Sequence, residues 1–433
     1  MAIVTSNRST AVSRDASCSY TLPLAVVTTL FFMWGFLTCL NDILVPHLKS
    51  IFDLNYEEVM LIQFAFFGAY FLFSIPSAKI IDWIGYQRSM VVGLLTMGVG
   101  AFLFVPAASA PSYPLFLMAL IVLAAGITCL QVAANPYVTV LGRPQTASSR
   151  LNLTQAFNSL GTFLAPFFGG LLILSAAPKA MEEIRAMAPD ALQAYRLHEA
   201  ATVKTPYVGL GIALVVLAVA IGSFKLPKIP HAQHQIGEKV NDSIWRHPNL
   251  IFGAIGIFVY VGAEVAIGSF LVNYFSQPDI GGMTEKVAAS FVAFYWGGAM
   301  VGRFIGSGLL QKMNTGRLLG ICAVCAAALV TISMISTGHF AMWSIILVGF
   351  FNSIMFPSIF TLGVAELGPL TGDGSGIMIM AIVGGALVPL AQGAIADRIG
   401  IHHAFFLPVI CYLYILFFAL SGSKPNSERH ARA

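Results

Sequence analysis

Charge is what this sequence has least of. Lys, Arg, Asp and Glu make up 10% of its 433 residues, while 57% are hydrophobic; soluble domains carry about a quarter charged residues. With a mean hydropathy of +0.81, no aqueous fold hides so much apolar surface, so the solvent is the bilayer. Cysteine is scarce too, and the six present build no disulfide framework. Five of them (Cys39, Cys129, Cys322, Cys325 and Cys411) fall in apolar stretches, where they read as small apolar residues. Cys322 and Cys325 form a C-x-x-C without His or acidic neighbours, which argues against a metal or redox role. No Walker A motif occurs, so ATP drives nothing directly. The basic residues are scattered, not interleaved with aromatics in a patch, and favour no nucleic-acid partner. No constellation of acid–base or metal-ligating groups suggests an enzyme, and none calls for a cofactor beyond a coupling ion. The first 20 residues are polar and lack the apolar core of a cleavable signal peptide.

What the chain does have is apolar runs. A spanning helix needs about 20 mostly apolar residues. Such stretches give twelve spans: 22–48, 58–82, 89–108, 113–141, 151–176, 205–224, 248–277, 287–311, 317–337, 340–365, 374–396 and 402–422. The expected fold is an all-α integral membrane protein of two six-helix bundles. Residues 1–20 form a tail, 21–224 the first bundle, 225–246 a polar linker with Pro227 and Pro230, 247–422 the second bundle, and 423–433 a second tail. An even number of spans puts both termini on one side. That side carries fifteen Lys and Arg against seven opposite, so both termini are expected in the cytoplasm.

The halves echo each other. Pro136 and Gly142 match Pro357 and Gly363, Pro166 and Gly170 match Pro389 and Gly393, and Gly68 and Arg88 match Gly297 and Arg317. Parallel six-helix repeats are a transporter architecture, with the substrate site near the midplane between halves that rock.

Ionisable groups inside spans cost several kcal/mol and mark function by default. Asp42 lies in the first span, four residues before Pro46, sharing a face with Gly35, Thr38 and Cys39. A proton-carrying role competes with a structural one. Glu264 in the seventh span reads as a ligand for sugar hydroxyls or a cation, or as the structural partner of Arg303 in the eighth. Thr128, Gln131, Asn135 and Thr139 form one polar stripe in the fourth span, and Asn152, Gln155, Asn158 and Ser159 another in the fifth. Asn352 precedes Pro357 by five residues, as Gln131 precedes Pro136. Amides supply donors and acceptors for a ring of hydroxyls, or they serve as interhelical glue. Trp34, Tyr137, Phe157, Tyr260 and Trp296 are aromatics available to stack on a pyranose.

With these features in hand, the sequence resembles the major facilitator superfamily, and within it the fucose permease family and its bacterial glucose/galactose transporter branch. The resemblance is carried by Phe32 to Phe36 leading to Asn41 and Asp42, by Leu130 to Tyr137, by Arg150 to Asn158, and by Tyr260 to Glu264. It implies that Asp42 is the coupling carboxylate. A second acid of the fucose permeases, a Glu in helix 4, is here Gln131, which cannot titrate. Either Asp42 alone handles a proton, or Asp42, Gln131 and nearby oxygens hold Na⁺. The glutamine also resembles the glucose/galactose branch. The superfamily's loop signature is partly matched after the second span, where Asp82 and Gly85 agree but Ala78 and Trp83 depart; with Arg88 these form the expected cytoplasmic gate loop. A literal match, Gly393 to Gly400, falls on the outer side.

The expectation is a monomeric, multi-pass carrier of the bacterial inner membrane that imports a glucose- or galactose-type hexose with H⁺ or Na⁺. Gln131, Asn135, Gln155, Asn158, Glu264 and Asn352 are its candidate sugar contacts. A proton-coupled deoxy-sugar permease and a non-transporting sensor on a carrier fold are the alternatives.

Overall fold

The computed structural model describes residues 20–52, 56–109, 112–172, 183, 187–228 and 242–424, with side chains at all of these except 40–51, 56–60, 167 and 169–172. The first half contains α1 (Thr21–Phe52), α2 (Tyr56–Ser109), α3 (Tyr113–Val140), α4 (Ala147–Leu172), α5 (Pro189–Thr202) and α6 (Lys204–Ser223). The second contains α7 (Pro248–Phe275), α8 (Glu285–Leu309), α9 (Thr315–Ile335), α10 (Gly338–Asn352), α11 (Met355–Gly363), α12 (Thr371–Met380), α13 (Gly384–Ile399), α14 (Ile401–Ala404) and α15 (Phe406–Phe417). A π-helical turn, Phe418–Gly422, continues α15.

Among the described residues, ten segments are long and apolar enough to cross a membrane. Two observations raise this to twelve. The 54 residues of α2 rise ~80 Å, far more than the ~30 Å of bilayer hydrocarbon, and the chain reverses at Gly85 (φ 81°, ψ 168°). That backbone conformation suits glycine and few other residues, so α2 is two crossings. The other is α4, whose 26 residues make the fifth crossing.

Two crossings of the second half are broken near their middle. Proline has no N–H and leaves the carbonyl four residues before it unbonded. Pro357 does this to Ser353, and the chain breaks between α10 and α11 at Ser353–Ile354. A 3₁₀ turn, Ala381–Val383, interrupts the next crossing between α12 and α13.

Within the first half α2 packs on α3 and α6, and α1 on α4; within the second, α9 packs on α10 and α15, α10 on α8, and α7 on α13. The bundles meet where α4 runs along α8 and α2 along α12. Helix α1 approaches α4 closely because both present glycine. A Cβ on Gly35 would collide with the Asn158 carbonyl, and one on Gly161 with that of Phe32. Thr162 Oγ1 donates to the Gly35 carbonyl across the same crossing at 3.3 Å. Gly161→Leu therefore forces the helices apart, at an expected cost of about 1–3 kcal/mol. A thermal-unfolding midpoint in detergent equal to wild type would refute this close approach.

Candidate functional site

The chain from α6 into the linker fixes which end of each bundle is which. Gln87 Nε2 donates to the carbonyls of Ile221 at 2.8 Å and Phe224 at 2.5 Å, and Tyr137 donates to that of Pro227 at 3.1 Å. The reversal of α2 and the end of α3 thus lie at the linker face.

At this face the halves are joined. Lys79 Nζ lies 2.7 Å from Asp373 Oδ1, in the first turn of α12, and 3.5 Å from Asp82 Oδ2. The Asp82 carboxylate also faces Gly372 in that turn, where a helix N-terminus favours negative charge. Ser149 Oγ donates to the Ser307 carbonyl at 2.7 Å. Ser148 and Thr361 hydroxyls are 2.6 Å apart, and Thr315 donates to Ser148 at 3.0 Å. Ser375 Oγ of α12 donates to the Val132 carbonyl of α3 at 2.8 Å. That carbonyl stands four residues before Pro136, so proline frees it and the opposite half takes it. Of the expected gate loop, Asp82 lies at the joint, Gly85 makes the reversal, and Arg88 is exposed.

Deeper in lie the polar residues singled out in sequence. Gln131 Nε2 donates to Tyr70 Oη at 2.8 Å; Tyr70 is twelve residues before Asp82, or ~18 Å of helix rise. Gln155 Nε2 donates to Asn135 Oδ1 at 3.4 Å. Asn135 Nδ2 is buried with no hydrogen-bond partner among the described residues, a state that costs about 1–3 kcal/mol. Arg303 reaches from α8 to the first half: its guanidinium donates to Ser159 Oγ and, at 3.5 Å, to the Gln155 carbonyl. Asn152 Nδ2 returns a bond to the Arg303 carbonyl at 2.6 Å.

The second half forms one connected cluster. Tyr260 Oη donates to Glu264 Oε1 at 2.8 Å and to the Asn352 carbonyl at 3.2 Å. Asn352 Nδ2 donates to Tyr295 Oη at 2.9 Å, and Tyr295 donates to the Glu264 carbonyl at 3.3 Å. Here too proline sets the stage: Arg303 Nε donates at 3.3 Å to the Ser353 carbonyl that Pro357 frees. Among the described residues no ion pair joins Glu264 to Arg303; the arginine is held by α4 and the α10–α11 break.

The expected contacts thus fall into three groups. Gln131, Asn135 and Gln155 gather in the first half, and Glu264 and Asn352 in the second, with Arg303 between them. Asn158 stands apart, its Nδ2 donating to the Phe31 carbonyl of α1 at 3.0 Å. Asp42 belongs to α1 by backbone, and its side chain lies outside the described residues. Of the aromatics, Tyr260 joins the cluster, Trp34 packs on Phe31 with ring centroids 4.4 Å apart, and Tyr137 is tied to the linker. Sequence reasoning passed over Tyr70, Tyr295, Lys79, Asp373 and the serines at the linker face. Of these only Ser375 had a readable pointer, Pro136, whose freed Val132 carbonyl it takes.

Two bundles joined at one face around a polar layer is the geometry of an alternating-access carrier. A family model described as Major Facilitator Superfamily matches residues 25–382. The chain belongs to the Major Facilitator Superfamily. Relatives in this superfamily include a glucose/galactose transporter of Brucella abortus biovar 1 (strain 9-941), 54% identical over 94% of this chain and 95% of that protein. The L-fucose-proton symporter of Escherichia coli (strain K12) is 37% identical over 96% of each. The crystal structure of the superfamily transporter FucP in the outward conformation superposes with a TM-score of 0.86 at 35% identity, covering 94% of this chain and 99% of that one.

Proposed function

We propose that the protein is a secondary active transporter that imports a hexose of the glucose or galactose type by alternating access, driven by a coupled cation, H⁺ or Na⁺. The observation that carries this reading is the set of amides and a carboxylate on helices of both halves, in a chain 54% identical over 94% of its length to a glucose/galactose transporter. The multi-pass protein sits in the cytoplasmic membrane of a bacterium with the linker and both termini inside, as the charge asymmetry favours. It works as a monomer, since each chain carries both bundles. Residues 21–224 and 247–422 are the two rocking units, and 225–246 the tether.

In this reading Gln131, Asn135, Gln155, Glu264 and Asn352 bind sugar hydroxyls from the two halves, and Asn158 holds α1 against α4 beside them. Asp42 couples the cation, alone or with Gln131. Lys79, Asp82 and Asp373, with Gly85 setting the turn and Arg88 beside it, form the inner gate, a role supported by the Lys79–Asp373 contact between the halves.

The test is uptake of labelled glucose, galactose and fucose into proteoliposomes, with sodium and pH gradients imposed one at a time. Accumulation of glucose or galactose above fucose supports the proposal. Preferential fucose accumulation would assign the chain to the deoxy-sugar permeases, and no exchange of any labelled sugar would make it a sensor.

Glu264→Gln keeps the shape of the second-half cluster but removes its charge. A hydrogen bond to a charged group contributes about 1.5–3 kcal/mol, so the half-saturating sugar concentration in counterflow should rise about tenfold or more. A change below twofold would remove Glu264 from the sugar site.

A further inference from the structure

Large apolar residues of α8 are exposed on two sides of the helix. Val287, Phe294 and Val301 recur every seventh residue and are exposed, so they share one side, the one that lipid tails cover. Trp296 is 40% exposed as well, yet at about 100° per residue it lies on the opposite side. That side belongs to the first half. Arg303 and Ser307, seven and eleven residues further on, fall on the same stripe as Trp296. Both bond to α4: Arg303 to Ser159 Oγ, and Ser307 Oγ to the Ser149 carbonyl at 3.2 Å. Trp296 therefore faces the space between the bundles, not lipid.

The indole is also held in place. Its edge fills the room that Gly268 of α7 leaves, with Cζ2 standing 3.0 Å from where a Cβ would be. The ring meets that of Tyr295 at 81°, centroids 5.1 Å apart. Tyr295 is itself fixed by Asn352 and by the Glu264 carbonyl. Glu264 precedes Gly268 by one turn on the same face of α7, about 6 Å of rise. A rigid aromatic surface, open to the gap between the halves, thus adjoins the Glu264–Asn352 cluster.

We infer that Trp296 is the aromatic platform of the sugar site and selects D-galactose over its C4 epimer D-glucose, an assignment that rests on the transport reading above and narrows its substrate. The C–H groups of a pyranose stack on an aromatic face, while its hydroxyls bond to amides and carboxylates. In galactose the axial 4-hydroxyl points to one face of the ring, which leaves the C3, C4 and C5 hydrogens together on the other. A flat indole covers that patch. In glucose the C4 hydrogen stands on the face opposite those of C3 and C5, so the patch is smaller and the stack weaker. Neither the amides of the first half nor the Glu264–Asn352 cluster supplies an apolar surface, so the ring adds what they lack.

The experiment is counterflow of labelled galactose and labelled glucose in proteoliposomes holding purified wild type, Trp296→Leu or Trp296→Phe. Wild type should half-saturate at a galactose concentration several-fold below that for glucose. Trp296→Leu keeps an apolar side chain but no ring. Its half-saturating concentration should rise about tenfold for galactose and about threefold or less for glucose, so that the preference disappears. Trp296→Phe keeps a ring and should restore the preference. A packing defect weakens both sugars alike, so an equal rise for the two overturns the inference. A wild type that prefers glucose, or takes both sugars equally, overturns it without any variant and serves if Trp296→Leu does not fold. No exchange of either sugar by wild type would instead overturn the transport reading, and the platform with it.

Discussion

Asp42→Asn should reduce sugar accumulation from tens-fold to the equilibrium level while counterflow of labelled sugar continues. The expected size follows from the driving force. One elementary charge crossing 100 mV carries about 2.3 kcal/mol, which at about 1.36 kcal/mol per decade is roughly fifty-fold accumulation. Removing the coupling group forfeits all of it. Counterflow needs only that the bundles rock with sugar bound, and an uncharged residue in a span makes that no harder. The amide is nearly the size of the carboxylate, so packing of α1 is not the variable. A variant that still concentrates sugar would show that Asp42 is structural. A variant without counterflow would show that it serves the rocking itself.

The same assay separates two schemes for the cation. Gln131 gives its amide nitrogen to Tyr70, which leaves its oxygen to a ligand. If Asp42 alone carries a proton, wild-type accumulation follows the pH gradient and is indifferent to sodium. If Asp42 and Gln131 oxygens hold Na⁺, the dependence reverses.

Long apolar runs made the crossings readable, because in a bilayer every backbone group must be satisfied within helices. Asp42, Glu264 and Arg303 were readable for the same reason: a charge in a span stands out against its surroundings. Pairings were less legible. Glu264 and Arg303 sit on adjacent crossings, yet the arginine turns to α4 and to Ser353, whose carbonyl only a break in the tenth crossing exposes. Lys79 and Asp373 stand 294 residues apart, and no local pattern announces a partner at that distance. Asn158 looks the same in sequence as Asn135; one is consumed by the α1 backbone and the other is held without a donor's partner. Periodicity assigns a face, but only tertiary packing decides whether that face meets a carbonyl or a cavity.

The serines at the linker face carry the largest expected effect on movement. Ser149 and Ser307 belong to α4 and α8, on opposite bundles, and their hydroxyls are 3.4 Å apart. Each oxygen stands where a cysteine sulfur would, and a small rotation of both side chains would close that gap to the ~2 Å of an S–S bond. Ser149→Cys/Ser307→Cys should therefore cross-link under mild oxidation without distorting the closed face. Sugar exit to the inside requires α4 and α8 to part there. The oxidised pair should lose at least about 95% of both accumulation and counterflow, and a reductant should restore them; each single variant, oxidised alike, should transport normally. This outcome differs from that of Asp42→Asn, which keeps counterflow, so coupling and rocking are assigned to different residues by one assay. Full counterflow in a chain shown to be cross-linked would mean that the linker face does not open at α4 and α8, and the gate would have to be sought elsewhere in the fold.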